Sequence, residues 1–393
     1  MEVPVRELIE LLIRWVHLIA GIMWIGNSML FNWLDRNLVK VSERPGHEGE
    51  IWLLHSGGFY QVEKKQLAPN EMPAMLHWFK WQNGVTWLSG ISLLVVVYYM
   101  GQGALLVDAN VASISSTTAM GIGLGTIVAS WAIYDGMWRT LGQRAPQAAT
   151  ALSLVLLAGV CFGLTQVLSG RAAFIHAGVV MGTLMTGNVW MIIVPSQREL
   201  VNATREGRPQ DMSYALRAKQ RSIHNNYMTF PVLFIMISNH YASTYGNRFN
   251  WAVLGVLMVS SALVRHFMNI RFTYARWLPA ASVSVFAGLT GLFLLTARRA
   301  PAASGPPVAF ADVHNVVQKR CTNCHSATPT DDVWRTAPSG VMFDSSEQIQ
   351  RMALRIRERV TLQKTMPLGN KTGITEQERE MLGRWVQQGA NVP

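Results

Sequence analysis

QAATALSLVLLAGVCFGLTQVL, residues 147–168, holds no charged side chain from end to end. About 20 apolar residues in a helix are enough to cross the hydrocarbon core of a bilayer, so the stretch reads as a membrane span. Runs of similar character lie on either side, at roughly 8–33, 84–107, 114–138, 172–195, 226–245, 250–270 and 278–297. The run at 226–245 is the weakest, because Pro231 and the pair Asn239–His240 interrupt it. The first run is too long for a cleaved signal, and NSMLFNWLDRN offers no small-residue cleavage site. Composition points the same way: half of the 393 residues are apolar and 15% are charged, against about 25% in an average soluble protein. The lone Cys161 reads as a small buried hydrophobe. The expected fold is all-α, a polytopic membrane helix bundle of about eight spans followed by a small helical tail.

Loop charge orients such a bundle, since Lys and Arg collect on the cytoplasmic side. Sixteen of them fall in the odd-numbered loops, Arg36, Lys64, Arg139, Arg205 and Arg271 among them, while the even-numbered loops hold Arg171 and Arg248. Odd loops are therefore expected in the cytoplasm and both termini in the periplasm. This pattern also accounts for the formal net charge of +11, which does not point to nucleic acid as a partner. RRAPAASGPP (298–307) reads as a linker, dividing the chain into a membrane domain at 1–297 and a periplasmic tail at 308–393.

The tail contains CTNCH, residues 321–325. Two thiols three residues apart can form thioethers with the two vinyl groups of a haem, while the next imidazole ligates its iron. Cys321, Cys324 and His325 are thereby read as a covalent haem c site. Met366 in KTMPLGN (364–370) is the expected second axial ligand, in a loop stiffened by Pro367 just before the last helix. Met352 and Met381 fall at helical core spacing, and Met342 lacks a neighbouring proline. Helices are expected in FADVHNVVQKRCTNCH, SEQIQRMALRIRERV and TEQEREMLGRWVQQGA, the last with Thr375 as N-cap. In bacteria haem is attached covalently in the periplasm, so motif and topology agree. CTNCH, TMPLGN and LGRWVQQGA together resemble the class I cytochrome c family.

Seven of the ten histidines lie in or beside the apolar runs. Ionisable groups at membrane depth mark function by default. His17, His176 and His240 fall toward the periplasmic ends, and as a layer they suit a second centre, haem b or another metal. His77, His224 and His266 fall toward the cytoplasmic ends, near Asp135 and Arg139, HNNY (224–227) and RHFMN (265–269). The plainer role for each is to satisfy a backbone carbonyl or to sit in the interface. HLIAGIMWIGN (17–27) and HAGVVMGTLMTGN (176–188) hint at a four-plus-four repeat, but their offsets differ. The first cytoplasmic loop is long and rich in aromatics. It suggests a pocket in which a planar ring stacks on Phe59, Tyr60, Trp78 or Trp81 and an anion meets Lys64 or Lys65.

RWVHLIAGIMWIGNSMLFNWLDRNL (14–38), LHSGGFYQVEK (54–64) and MPAMLHWFKWQNGVTWLSG (72–90) resemble the PuuD-type membrane-bound urate oxidase (urate hydroxylase) family. The resemblance implies an eight-span urate-oxidising domain followed by a cytochrome c. It implies oxidation of urate to 5-hydroxyisourate with water as the oxygen source. Electrons would pass to the cytochrome, then to a periplasmic cytochrome c or terminal oxidase at the bacterial inner membrane. On that reading Arg139 or Arg265 would hold the urate anion, and His77, His224 or His266 would serve as base. Two other readings remain at this point: a quinol-to-cytochrome electron-transfer subunit, and a transporter with a regulatory cytochrome.

Overall fold

The computed structural model describes residues 5–40, 46–68, 71–101, 103–297 and 305–393. Arg44 and the linker residues 298–304 lie outside them. Helix α1 is Val5–Asn37, followed by strands β1 (His47–His55) and β2 (Gly58–Lys65). Helix α2, Trp81–Leu93, continues as a π-helical stretch, Leu94–Tyr99. Then come α3 (Ser116–Arg144), α4 (Pro146–Val167), α5 (Gly170–Gly187), a second π-helical stretch (Asn188–Ile193) and α6 (Val194–Arg205). Helices α7 (Met212–Ser238), α8 (Ala242–Tyr245), α9 (Asn250–Ile270) and α10 (Trp277–Thr296) complete the membrane part.

Among the described residues six helical stretches are long and apolar enough to cross a membrane: Val5–Asn37, Ser116–Arg144, Pro146–Val167, Gly170–Arg205, Asn250–Ile270 and Trp277–Thr296. Two of the expected runs fall outside this set. The run at 84–107 is helical only to Tyr99, after which Gly101 and Gly103 turn the chain with φ of 80° and 67°. The run at 226–245 belongs to α7, which begins upstream at Met212, carries Arg217, Lys219 and Arg221 in its first half, and stops at Ser238. Pro231 sits inside α7 without ending it; its missing N–H only removes the bond to the carbonyl of Tyr227.

The expectation of an all-α chain needs a correction in the first long loop. There β1 and β2 pair antiparallel, with His55 opposite Gly58. The two-residue turn between them, Ser56–Gly57, has φ of 51° and 78°. Positive φ at both central positions is the geometry that matches the twist of a hairpin.

Burial is uneven along the membrane part. More than half of the Gly170–Arg205 window is buried (56%), against 6% for α1. Small residues Ala172, Ala173 and Ala177 let neighbours approach α5 closely. Helices α3 and α4 are separated by Ala145 alone, with Pro146 opening α4, where a missing N–H costs nothing.

Internal contacts define two compact units. One is Met1–Leu93, Met181–Val232 and Ala262–Val283; the other is Leu94–Val180, Leu233–Ser261 and Ser284–Pro393. Within the second unit the tail has a core of its own, built from Val313, Val317, Ile349, Ile356, Leu382 and Trp385. Its helices are α11 (Phe310–Arg320), α12 (Ser346–Arg351), α13 (Ala353–Ile356) and α14 (Glu376–Gln387). The single helix expected over 346–360 is broken at Met352 and ends in a π-helical stretch, Arg357–Leu362. Thr375 is the N-cap of α14, and Glu378 completes a capping box with it.

Asp331 ties the loop after CTNCH to Lys371, whose Nζ lies 2.7 Å from Oδ2. Burial pushes this carboxyl up, but the Lys371 ammonium and the N–H groups of Val333 and Trp334 outweigh it and hold the pKa at about 2. A folded pKa below the unfolded value stabilises the tail above about pH 4. That contribution is lost as pH falls toward 2. Asp331→Asn removes it at every pH, so pepsin at about pH 3 is expected to cut the tail of the variant and spare that of the parent.

Candidate functional site

The first unit holds a polar cluster inside apolar helices. On α9, Arg265 and Asn269 are four residues apart and so share a face. Both meet Asn226 of α7, whose Oδ1 accepts from Arg265 Nε at 3.0 Å and from Asn269 Nδ2 at 2.6 Å. Arg265 is 4% exposed and its guanidinium lies 5.3 Å from the Phe230 ring centre. The next residues along both helices also pair: Tyr227 Oη lies 2.8 Å from His266 Nδ1, with the rings stacked. His224 is half-buried one turn earlier on α7.

The π-helical stretch after α5 extends the cluster. Asn188, fully buried, donates to Asn225 Oδ1 at 2.9 Å, and Asn225 in turn donates to Met185 O at 3.0 Å. From α2, Asn83 donates to Thr186 Oγ1 and Trp87 Nε1 to Thr183 Oγ1. Among the described residues, the buried Asn83 Oδ1 and Asn269 Oδ1 have no hydrogen-bond partner, which marks a place where a donor from a ligand or water would be accepted. Lys80 Nζ stands 5.5–5.6 Å from the rings of Trp78, Trp81 and Trp190. Gly84 permits this, since a Cβ there would fall 2.9 Å from the Trp190 ring.

In the second unit, His176 is fully buried, with Nδ1 2.8 Å from Ala172 O and Nε2 2.9 Å from Tyr99 Oη. Both ring nitrogens are thus engaged. Nearby on its own helix, Arg171 donates to Asn239 Oδ1 at 2.9 Å.

The tail brings its four expected residues into one small fold. His325 Nδ1 lies 3.0 Å from Val341 O, which leaves Nε2 to face a metal. Burial lowers the pKa of this ring, opposed by the Val341 bond. Cys321 and Cys324 are free thiols, pushed up by burial to about 12 and about 11. Arg379, 2% exposed on α14, donates from Nη1 to Met366 O at 2.7 Å and to Val360 O at 2.5 Å. It fixes the methionine loop against the core, a role that no spacing in the sequence signalled. Two adjacent thiols, an imidazole oriented by a carbonyl and a thioether on an anchored loop form a donor set that fits a covalently held haem.

The remaining expectations fare differently. Arg265, His266 and His224 belong to the α7–α9 cluster. His77 is exposed in coil, and Arg139 is exposed with its Nε on Asp135 at 2.6 Å, so neither joins it. Of the outer histidines, His17 Nδ1 bonds Thr86 O and Ser89 Oγ, His176 is engaged as above, and His240 is exposed in a turn. Among the described residues no group of three or more His, Cys, Asp and Glu is placed to hold a metal. Lys64 is tied to Asp35 and Glu48, and Phe59 is 76% exposed on the hairpin. The cation set among indoles is Lys80 instead. The buried asparagines were visible in HNNY and RHFMN, whereas Trp190 reaches Lys80 only through the fold.

A family model described as urate oxidase N-terminal matches residues 4–296. The chain belongs to this family. The match stops where α10 ends, at Thr296, so CTNCH lies outside the matched residues. Neither a curated protein nor a solved structure matches the chain. The α7–α9 cluster falls wholly within the family region.

Asn226 is the shared acceptor for two buried donors. Replacing it with Leu leaves both unsatisfied and is expected to cost about 2–3 kcal/mol, read as a lower Tm in detergent. Asn226→Asp keeps the acceptor oxygen and should hold the parent Tm.

Proposed function

We propose that the chain is a membrane-bound oxidoreductase that oxidises urate to 5-hydroxyisourate, taking the added oxygen from water and delivering electrons to a haem c in its own tail. The observation that carries this reading is a buried guanidinium, Arg265, set among amide side chains within the region that matches the urate oxidase family. Urate is a planar monoanion at neutral pH, edged with N–H donors and carbonyl acceptors. A guanidinium fork reads such an anion through two parallel bonds. The amides of Asn83 and Asn269 offer acceptors to its N–H edge.

Oxidation removes two electrons and a proton from the urate anion; water then adds at C5, and the proton it gives up returns to a ring nitrogen, so that one proton and two electrons leave overall. The Tyr227–His266 pair suits that step: the bond at Nδ1 orients the ring so that Nε2 takes the proton of the attacking water. Cys321, Cys324, His325 and Met366 would hold the haem, which when bound accepts one electron at a time and passes it on. One urate therefore requires two reductions of the tail. Eight helical passages, with both termini in the periplasm of a bacterial inner membrane, put the tail beside a soluble cytochrome c or a terminal oxidase. The α2 and α7 segments make up the eight, shielding their polar groups inside the bundle.

Anaerobic visible spectroscopy of the oxidised protein tests this. Added urate is expected to raise a reduced c-type α-band without dioxygen; a spectrum that stays oxidised refutes the reading. Arg265→Gln should raise the urate KM about 100-fold, the roughly 3 kcal/mol of a lost charge-assisted contact.

A further inference from the structure

The loop that carries Met366 rests on the membrane part of the second unit. Gly246, just after α8, faces Thr365: a Cβ there would lie 2.5 Å from Thr365 Cγ2 and 3.3 Å from Gln363 O. Gly369, on the other side of Met366, faces Val107, whose carbonyl would be 2.9 Å from a Cβ. Between these points Arg359 Nη1 donates to Tyr245 Oη at 3.3 Å. The Asp108 carboxylate acts on Arg379, the same guanidinium that holds the Met366 carbonyl.

The surface underneath is built rather than incidental. Ser169 bonds two successive carbonyls of the turn at 103–107, its Oγ donating to Leu105 O at 2.7 Å and its N–H to Leu106 O at 2.9 Å. Gly170 lies flush against Tyr245 O, where a Cβ would come within 2.1 Å, and Asn250 Nδ2 donates to that same carbonyl at 3.2 Å. Both turns are thus pinned to the first residues of α5. Tyr245 and Leu106 are buried, at 8% and 0% exposure. Gly246 faces the methionine loop and Gly369, within that loop, faces Val107, so a bulky side chain at either would hold the surfaces apart.

We propose that these turns form a fixed seat for the Met366 loop, so that each electron passes from the membrane part to the tail within a single chain. The electron-transfer half rests on the function proposed above: the substrate site would be the donor, and the haem that Cys321, Cys324, His325 and Met366 would hold would take up one electron at a time, ferric to ferrous. The seat itself rests on packing alone. Seating the methionine loop holds Met366 against the membrane part of its own unit without any motion of the tail.

The test uses the full-length protein. The double variant Gly246→Cys with Thr365→Cys is expected to form a disulfide inside one chain, seen as thiol protection without a doubled mass on a non-reducing gel. That cross-linked protein should still be reduced by urate at the parent rate, with a first-order rate constant independent of protein concentration. Gly246→Leu, a wedge, should slow reduction by urate at least tenfold, with the visible spectrum and reduction by dithionite unchanged. Arg359→Glu should slow it in the same direction without touching Gly246. Absence of the intrachain disulfide, a rate that rises with protein concentration, or a wedge variant at the parent rate overturns the proposal. If urate reduces no haem in the parent, the proposed function fails, and the disulfide alone decides the seat.

Discussion

A guanidinium removed from water in the middle of an apolar bundle sets the terms for everything around it. Burying such a group is tolerated only where it is bonded. Arg265 meets that demand through Asn226, which Asn269 also uses. Asn226 lies on α7 five residues before Pro231, and the neighbouring Asn225 is fixed by Met185 O and by Asn188 of the π-helical stretch. A π-helical stretch widens the turn and changes which side chains face inward; here it admits both Asn188 and Trp190. The cost of one buried charge is therefore spread across several helices, and the positive centre that results suits an anionic ligand.

The same constraint explains the small residues. Where a ring must enter the bundle, the opposite helix gives up its side chain: Gly123 faces His176 and Tyr99 in one unit, and Gly84 faces Trp190 in the other. A Cβ at Gly123 would stand 2.6 Å from His176 Nε2, so no other residue lets the Tyr99–His176 bond form as it does. Lipid offers little hydrophobic drive to bring helices together, and close packing takes over that role.

The apolar runs that decide the fold are local and long, and the sequence made six of them plain; the tail motif stands out because it occupies five consecutive residues. The ends of α2 and α7 were not, since apolar composition continues past Tyr99 and Ser238 while left-handed glycines and a polar turn stop the helix. The hairpin at 47–65 escaped for another reason. Its turn, Ser56–Gly57, has the residues a two-residue turn needs, but the charged and aromatic strands beside it lack clean alternation. At the site, Arg265, His266 and His224 were within reach of sequence reasoning because they cluster within a few helical turns. Arg139 was drawn in by charge alone, yet a carboxylate four residues back on its own helix already satisfies it. Lys80 and Trp190 are far apart in the chain, and only tertiary packing joins them.

Two-electron chemistry in a chain with one C-x-x-C-H motif places a condition on the tail. Among the described residues no group of three or more His, Cys, Asp and Glu is placed to hold a metal; on the proposed function, a tail with one haem would be reduced and discharged twice for each urate. If the methionine face stays on its seat through both cycles, the outgoing electrons must leave by another face. The surface around Asn323, Ala327 and Thr328, beside the cysteine pair, is exposed and free of the seat's contacts. Entry on the methionine side and exit on the cysteine side would let the external acceptor dock without displacing the tail. A tail that had to swing out to discharge would instead have to break the Arg359–Tyr245 contact and the two glycine contacts on every cycle.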